Sequence, residues 1–262
     1  MKKVWLLSLL FGASVYASEE KIIVATDGTY PPFSEMDDKG QMIGFDIDIA
    51  KALCAQMQVQ CEFKQIEFDG LIAALKTGKA DALVASLNAN DERRKSVAFS
   101  KPYYGNPGVF VRAKGSNLEF DKASLKGKVI GVLRGTTFDE YASHEMKDWG
   151  LAINRYASQE EANLDMRAGR VDVLFADKIA LQDGFLDREG GEKFELFGDE
   201  LNDEKYFGEG IGIAVRKDEP QLAQRFSDAI EAIVANGEYK KVNDRYFSYD
   251  IYDVIAHPPA AR

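Results

Sequence analysis

One short pattern occurs twice in this 262-residue chain, and the repetition restricts the available folds more than any single motif does. Leu75-Lys76-Thr77-Gly78-Lys79-Ala80-Asp81-Ala82-Leu83-Val84-Ala85-Ser86 is echoed by Met166-Arg167-Ala168-Gly169-Arg170-Val171-Asp172-Val173-Leu174-Phe175-Ala176-Asp177. In each copy an amphipathic helix stops at a Gly, a basic residue follows, and a short apolar run reads as a buried strand. A second echo lies upstream of each copy, where Lys21-Ile22-Ile23-Val24-Ala25-Thr26-Asp27-Gly28-Thr29-Tyr30 parallels Lys128-Val129-Ile130-Gly131-Val132-Leu133-Arg134-Gly135-Thr136-Thr137. Few letters are identical, so either echo alone is compatible with chance. Two in the same order predict two similarly built α/β lobes, with polar residues at matching strand ends and a cleft between them.

The spacing of apolar residues predicts strands over 22–26, 61–66 and 80–85, with helices over 45–57 and 69–77 between them. After a break at Gly105-Asn106-Pro107-Gly108 the cycle restarts, with strands over 129–133, 153–156 and 171–176 and helices over 138–149 and 160–168. A β-α-β-α-β order implies right-handed crossovers and mainly parallel sheets flanked by helices. The segment Tyr206-Phe207-Gly208-Glu209-Gly210-Ile211-Gly212 returns the chain, and helices near 220–236 and 237–246 are expected to pack back on the first lobe. The expected division is therefore 18–104 plus 211–254 for lobe 1, 109–201 for lobe 2, and 105–108 and 202–210 as two hinge segments. Two crossings are what a hinge-bending clamp has. Residues 255–262 are expected to be a disordered tail.

The first 17 residues read as a secretory signal, with Lys2 and Lys3 as the basic region, 4–15 as the apolar core and Val15-Tyr16-Ala17 as the cleavage site. That apolar run is shorter than the ~20 residues a bilayer needs, and no Cys follows it, so no membrane anchor is expected. The formal net charge is −10, and an acidic surface repels phosphate backbones, which disfavours nucleic acid as a partner. Only two cysteines occur, Cys54 and Cys61. They are too few for a metal site and wrongly spaced for a redox pair. In an exported chain they read as a structural disulfide from a helix end to the next strand. No phosphate, nucleotide or zinc motif occurs, and no cofactor is expected.

In open α/β sheets ligands bind outside the carboxyl ends of the strands, so the candidates are 27–30, 86–88, 134–138 and Asp177. Arg93, just beyond the third strand, can grip a carboxylate bidentately. Asp177, from the opposite lobe, suits an ammonium. Backbone N–H groups after Gly135, at Thr136 and Thr137, add carboxylate donors at a helix start. Arg93 and Asp177 together complement an α-amino acid zwitterion. Asp27 is then a surplus negative group that a neutral ligand would leave unpaired. Tyr30 and Phe68 offer flat walls for an alkyl stem and cation–π attraction for a charged head. The set points to a cationic side chain. Asp46 and Asp48 face different ways on one helix, so Asp46 is given a structural role near the helix start.

Several segments resemble the periplasmic amino-acid-binding proteins of ABC importers: Asp27-Gly28-Thr29-Tyr30-Pro31-Pro32-Phe33, Gly44-Phe45-Asp46-Ile47-Asp48, Phe68-Asp69-Gly70-Leu71-Ile72, Phe99-Ser100-Lys101-Pro102-Tyr103-Tyr104, Tyr206-Phe207-Gly208 and Asn236-Gly237-Glu238-Tyr239. They span most of the chain after residue 17 and are most like the lysine/arginine/ornithine- and histidine-binding branch. The resemblance implies the two-lobed type II periplasmic binding protein fold, a basic amino-acid ligand, a membrane permease as partner, a periplasmic location and a monomer. It implies aromatic walls at Tyr30 and Phe68 and a side-chain cation partner at Asp27. It further implies a carboxylate clamp at Arg93 with Ser86 and Thr137 beside it, an ammonium acceptor at Asp177 and a pocket residue at Leu133. The Cys54–Cys61 pair also occurs in that branch. Three positions depart: Ala85 stands where Ser is frequent, Asn88 replaces a hydroxyl residue, and Phe138 replaces Gln. The clamp is kept, while the preferred side chain, including an opine-like one, is left open.

Two other functions fit the same fold. A cyclohexadienyl-dehydratase-like lyase would need a positioned acid or base. The two histidines are unpromising for that, since His257 is in the tail and His144 is on the exposed side of a helix. A sensor handing its closed form to a receptor in trans is compatible with transport. The expectation is a binding protein rather than an enzyme.

Overall fold

The computed structural model describes residues 20–253, so the expected signal segment, 1–17, and tail, 255–262, lie outside the described residues. The chain begins with β1 (Lys21–Thr26), then β2 (Thr29–Tyr30), β3 (Ser34–Met36) and β4 (Met42–Ile43), which form a small antiparallel sheet of their own. Next come α1 (Phe45–Met57), β5 (Gln60–Gln65), α2 (Leu71–Lys76), β6 (Ala82–Leu83), α3 (Asp91–Arg94) and β7 (Val97–Tyr104). The second lobe runs through β8 (Gly108–Ala113), α4 (Lys122–Leu125), β9 (Val129–Leu133), α5 (Thr137–His144) and β10 (Ala152–Tyr156). It continues with α6 (Gln159–Arg167), β11 (Val173–Asp177), α7 (Lys178–Leu181) and β12 (Phe194–Leu201), after which α8 (Glu204–Phe207) lies in the second crossing segment. The chain returns as β13 (Ile211–Arg216), α9 (Pro220–Ala235) and α10 (Glu238–Tyr246).

The large sheets have the orders β5-β1-β6-β13-β7 and β10-β9-β11-β8-β12. In each, three parallel strands lie beside one antiparallel strand, β13 or β8, which is the first strand after the chain crosses between lobes. The outermost strand, β7 or β12, pairs antiparallel with it, so four strands of each sheet point the same way. The crossing strand completes each sheet, which ties the two lobes together twice.

The echo persists down to single hydrogen bonds. Gly78 and Gly169, at φ +72° and +70°, turn the chain out of α2 and α6 in the left-handed region that glycine enters most readily. Asp81 then accepts a bond from the Ile23 backbone N–H at 2.9 Å, and Asp172 accepts one from Val129 at 2.8 Å. Each carboxylate pins the start of its lobe's first parallel strand. Unbroken apolar runs make those strands, β1 and β9, suitable for burial on both faces in the sheet interior.

Each lobe has its own apolar core. Helix α1 buries Phe45, Ile47, Ile49, Ala50 and Leu53, and Asp46 and Asp48 in its first turn favour the helix dipole. Its C-cap Gln58 adopts φ 57°, and Cys54 near its end is joined to Cys61 of β5, as expected. Helix α9 starts on Pro220 and buries Phe226, Ile230 and Ile233, an apolar stripe that packs on α1 and β7 of the first lobe. Two expected elements are shorter than the pattern suggested. The strand at 80–85 pairs only over Ala82–Leu83, because the chain leaves extended geometry at Ser86 (φ 50°). The helix at 138–149 ends at His144, and a separate 3-10 turn carries Lys147–Trp149.

Candidate ligand-binding cleft

The two unlike ends of the echo meet. Ser86, beyond β6, and Asp177, the last residue of β11, line one small cavity together with Tyr30, Phe68, Asn88, Leu133, Thr136 and Phe138. Eight of the twelve candidate binding residues therefore share a wall. The other four lie close by without forming it. Arg93 and Thr137 both bond to Asn88, Ala85 precedes Ser86 in the lobe 1 core, and Asp27 is buried three residues before Tyr30.

Arg93 is held by uncharged groups. Its Nη1 donates to the Asn88 carbonyl at 3.2 Å and its Nη2 to Gly135 O of the opposite lobe at 3.3 Å, while the guanidinium lies 5.7 Å from the Phe68 ring centre. Asn90 caps α3 by accepting from Arg93 N at 2.9 Å, which sets the residue's place. Burial lowers the Arg93 pKa to about 10, so the group is still a cation at neutral pH.

Asp177 occupies the N-cap position of α7, yet its side chain makes no capping bond. It turns instead to the opposite lobe, where Tyr30 Oη donates to Oδ2 at 2.7 Å. Its other oxygen, Oδ1, is buried with no hydrogen-bond partner. Burial, with repulsion from Asp46, pushes the Asp177 pKa up to about 7. Asp27 accepts from Ser34 Oγ at 2.9 Å, Thr29 Oγ1 at 3.2 Å and Thr29 N at 3.4 Å, all neutral donors, and burial raises its pKa. The last of these bonds closes an Asx-type turn.

Further contacts join the lobes around the cavity. Thr137 Oγ1 donates to Asn88 Oδ1 at 3.0 Å, Arg134 pairs with Asp69 at 3.0 Å, and Arg188 lies 3.6 Å from Glu35. Asn88 Nδ2 also donates to the Phe207 carbonyl in the second crossing segment at 3.3 Å. Thr136 caps α5 by accepting from Asp139 N at 3.2 Å and donates its hydroxyl to Leu133 O at 2.7 Å. Phe138 contacts Phe175 and Phe207 with ring centres 5.0 and 5.5 Å apart, so one residue serves both the lobe 2 core and the cavity wall.

Residues 22–249 match the family described as bacterial extracellular solute-binding proteins, family 3. The chain belongs to this family. It is 48% identical to the L-arginine-binding protein of Pseudomonas aeruginosa over 256 residues, covering 96% of this chain and 99% of that one. It is 39% identical to the lysine/arginine/ornithine-binding periplasmic protein of Escherichia coli, covering 96% and 98%. Among solved structures, a Salmonella typhimurium periplasmic binding protein described for high arginine specificity superposes with a TM-score of 0.80 at 32% identity, covering 87% of this chain and 100% of that one. The expected two-lobed architecture and the expected family are thus both found.

Against this family background, the residues that sequence reasoning undervalued stand behind the wall. Asp46 accepts from Tyr103 Oη at 2.8 Å, from Ser86 N at 2.8 Å and from Ser86 Oγ at 3.2 Å, and Tyr104 Oη donates to Ser86 Oγ at 2.7 Å. This network holds Ser86 in a left-handed conformation that costs a residue other than glycine roughly 1 kcal/mol or more. Asp46 was given only a structural role, and its structural role is to shape the wall. The available signal was an acid flanked on both sides by residues that α1 buries, Phe45 and Ile47. Asp48 instead faces Tyr246 and Arg245, which agrees with the two acids pointing apart. Among the described residues no group of acids, His or Cys is arranged to hold a metal, and no helix is long and apolar enough to cross a membrane.

Proposed function

We propose that this chain captures a cationic L-amino acid (arginine, lysine, ornithine or histidine) between its lobes and delivers it to the permease of an ABC importer. The observation that carries the reading is the charge buried at the cleft: besides Asp46, whose oxygens are taken by Tyr103 and Ser86, two carboxylates, Asp27 and Asp177, stand against one guanidinium, Arg93. A zwitterion balances Arg93 and Asp177, and a third, positive group balances Asp27. Asp177 Oδ1, buried and unpartnered, is an acceptor suited to the ammonium. Arg93 takes the carboxylate with Ser86 and Thr137, and Tyr30 and Phe68 flank the side chain. Ala85, Asn88, Leu133, Thr136 and Phe138 shape the remaining wall. Relatives named for arginine and for lysine, arginine and ornithine support the same ligand class.

Closure would turn on the segments at 105–108 and 202–210. Release of the permease-ready monomer into the periplasm would follow removal of the leader near Ala17. We read the site as binding rather than catalytic, because its carboxylates serve as charge partners and His144 is exposed on α5. A thermal-shift screen over the twenty amino acids plus ornithine, citrulline and octopine tests this, since a tight ligand raises stability by mass action. The largest shifts are expected from the basic amino acids. Strong stabilisation by a neutral amino acid, with none from the basic ones, would refute the cationic assignment.

A further inference from the structure

We infer that the hydroxyl of Tyr30 sets ligand affinity by competing with the incoming ammonium for Asp177, a role separate from the flat wall its ring supplies. The inference rests on reading Asp177 as the ammonium acceptor. Tyr30 Oη donates to Asp177 Oδ2 at 2.7 Å, and the Asp177 N–H reaches back to the same oxygen at 3.4 Å. Both residues are buried, at 5% and 1% exposure, and they belong to different lobes. A lobe 1 side chain therefore occupies half of the lobe 2 acceptor.

The hydroxyl is a partial substitute for an ammonium. It offers one donor and no charge, whereas an ammonium offers three donors and a full charge. It satisfies Oδ2 and leaves Oδ1 orphaned. With this contact made, the cavity between the lobes measures about 10 Å³, room for about one water, while small-molecule sites run to several hundred Å³. An amino acid cannot enter until the lobes part. Parting breaks Tyr30–Asp177 along with the Thr137–Asn88 and Arg93–Gly135 bonds. Of these three, only the tyrosine bond uses the charged group meant for the ammonium. Apparent affinity is intrinsic affinity scaled by the fraction of protein competent to bind, so a self-contact that fills the acceptor weakens binding.

Tyr30→Phe keeps the ring and removes the competitor. Calorimetric titration with L-arginine should show about ten-fold tighter binding for Tyr30→Phe than for the parent, the scale of one hydrogen bond to a charged group. A purely wall-forming tyrosine would give unchanged or weaker binding in the variant, and that result overturns the inference. A second readout needs no ligand. Spin labels at Lys76 and Lys122, both exposed and on different lobes, report lobe separation, which should be longer and broader in Tyr30→Phe. Identical distance distributions also overturn the inference. If neither protein binds any basic amino acid, the cationic reading fails, and the label distances alone then decide whether the tyrosine latch exists.

Discussion

Arg93→Ala is expected to weaken binding of L-arginine by at least a hundred-fold. The magnitude follows from how the guanidinium is held. It is 6% exposed, and when the lobes part it loses the Gly135 carbonyl but keeps the Asn88 carbonyl and the Phe68 face of its own lobe, so part of its cost of burial is met before a ligand arrives. A ligand carboxylate therefore gains a fixed, partly dehydrated cation at little further ordering cost. Without Arg93 that carboxylate is shut into the cleft unpaired, a loss of about 3–5 kcal/mol. At 1.4 kcal/mol per factor of ten, this is roughly a hundred- to several thousand-fold in Kd. The lower end is expected, because alanine opens space through which water reaches the carboxylate. Arg93→Lys keeps the charge without the planar fork and should recover only part of the loss. Isothermal calorimetry gives the Kd values, and thermal unfolding of the free variants shows whether the lost bonds to Asn88 and Gly135 disturb the fold. An alanine variant that unfolds like the parent and binds arginine within about five-fold of it would refute the clamp.

Three further outcomes are expected. Asp27→Ala should weaken arginine by about ten-fold or more while changing citrulline, its neutral isostere, far less; equal losses for both in calorimetry would remove Asp27 as the side-chain partner. Replacing Cys54 and Cys61 together with alanine should lower unfolding stability by about 2–3 kcal/mol in a urea titration and leave ligand affinity unchanged, because the bond closes a short loop away from the cavity. Arginine affinity should rise with pH through about 7 and level off above it. Asp177 must be ionised to pair with the ammonium, and burial has raised its pKa from the ordinary 3.8 to about 7, so acid removes binding. A flat affinity profile from pH 5 to pH 8, roughly the span of that titration, would contradict this.

The parts of the fold that were legible are those where period and punctuation agree. Helix α1 and strand β9 match their expected spans of 45–57 and 129–133, since a 3.6-residue stripe and a buried apolar run leave little choice. The small sheet β2–β4 gave no comparable signal, because two- and three-residue strands carry no period. The crossing strands β8 and β13 were not expected as strands: the sequence showed only a break at 105–108 and a glycine-spaced return at 206–212 where they begin. In the cleft, the residues flanking strand ends were findable from topology: Tyr30, Ser86, Thr136 and Asp177 all reach the cavity. Asp27 shows the limit of that reasoning. Sequence placed it at a strand end, whereas its side chain turns to Ser34 and Thr29, a local choice that spacing does not encode. The Asp46–Ser86–Tyr104 network was equally hidden, because it depends on where three distant segments meet.

The asymmetry of the repeat has an electrostatic reason. Equivalent positions Asp81 and Asp172 do the same work in both lobes, so the scaffold is repeated faithfully where it only has to hold strands together. The copies diverge at their ends, where Ser86 faces Asp177. Acids at both ends would set two carboxylates against each other across a nearly dry gap, and two serines would leave no charge to hold an ammonium. Asp46 already crowds this region: burial pushes it up to about 7, and it adds to the upward shift of Asp177. Both Asp46 oxygens are already bonded to Tyr103 and Ser86 behind the wall, so Asp46 is not left for the ligand to pair. Asp27 and Asp177 then remain against Arg93, an excess of one negative charge. A neutral amino acid closes the cleft with that excess still inside, whereas a cationic one removes it. In a low-dielectric gap a single unpaired charge costs several kcal/mol, more than the one or two that a shape mismatch at Phe138 or Asn88 would cost. On the proposed reading, charge selects the class of amino acid, and the departures at Ala85, Asn88 and Phe138 would act within that class.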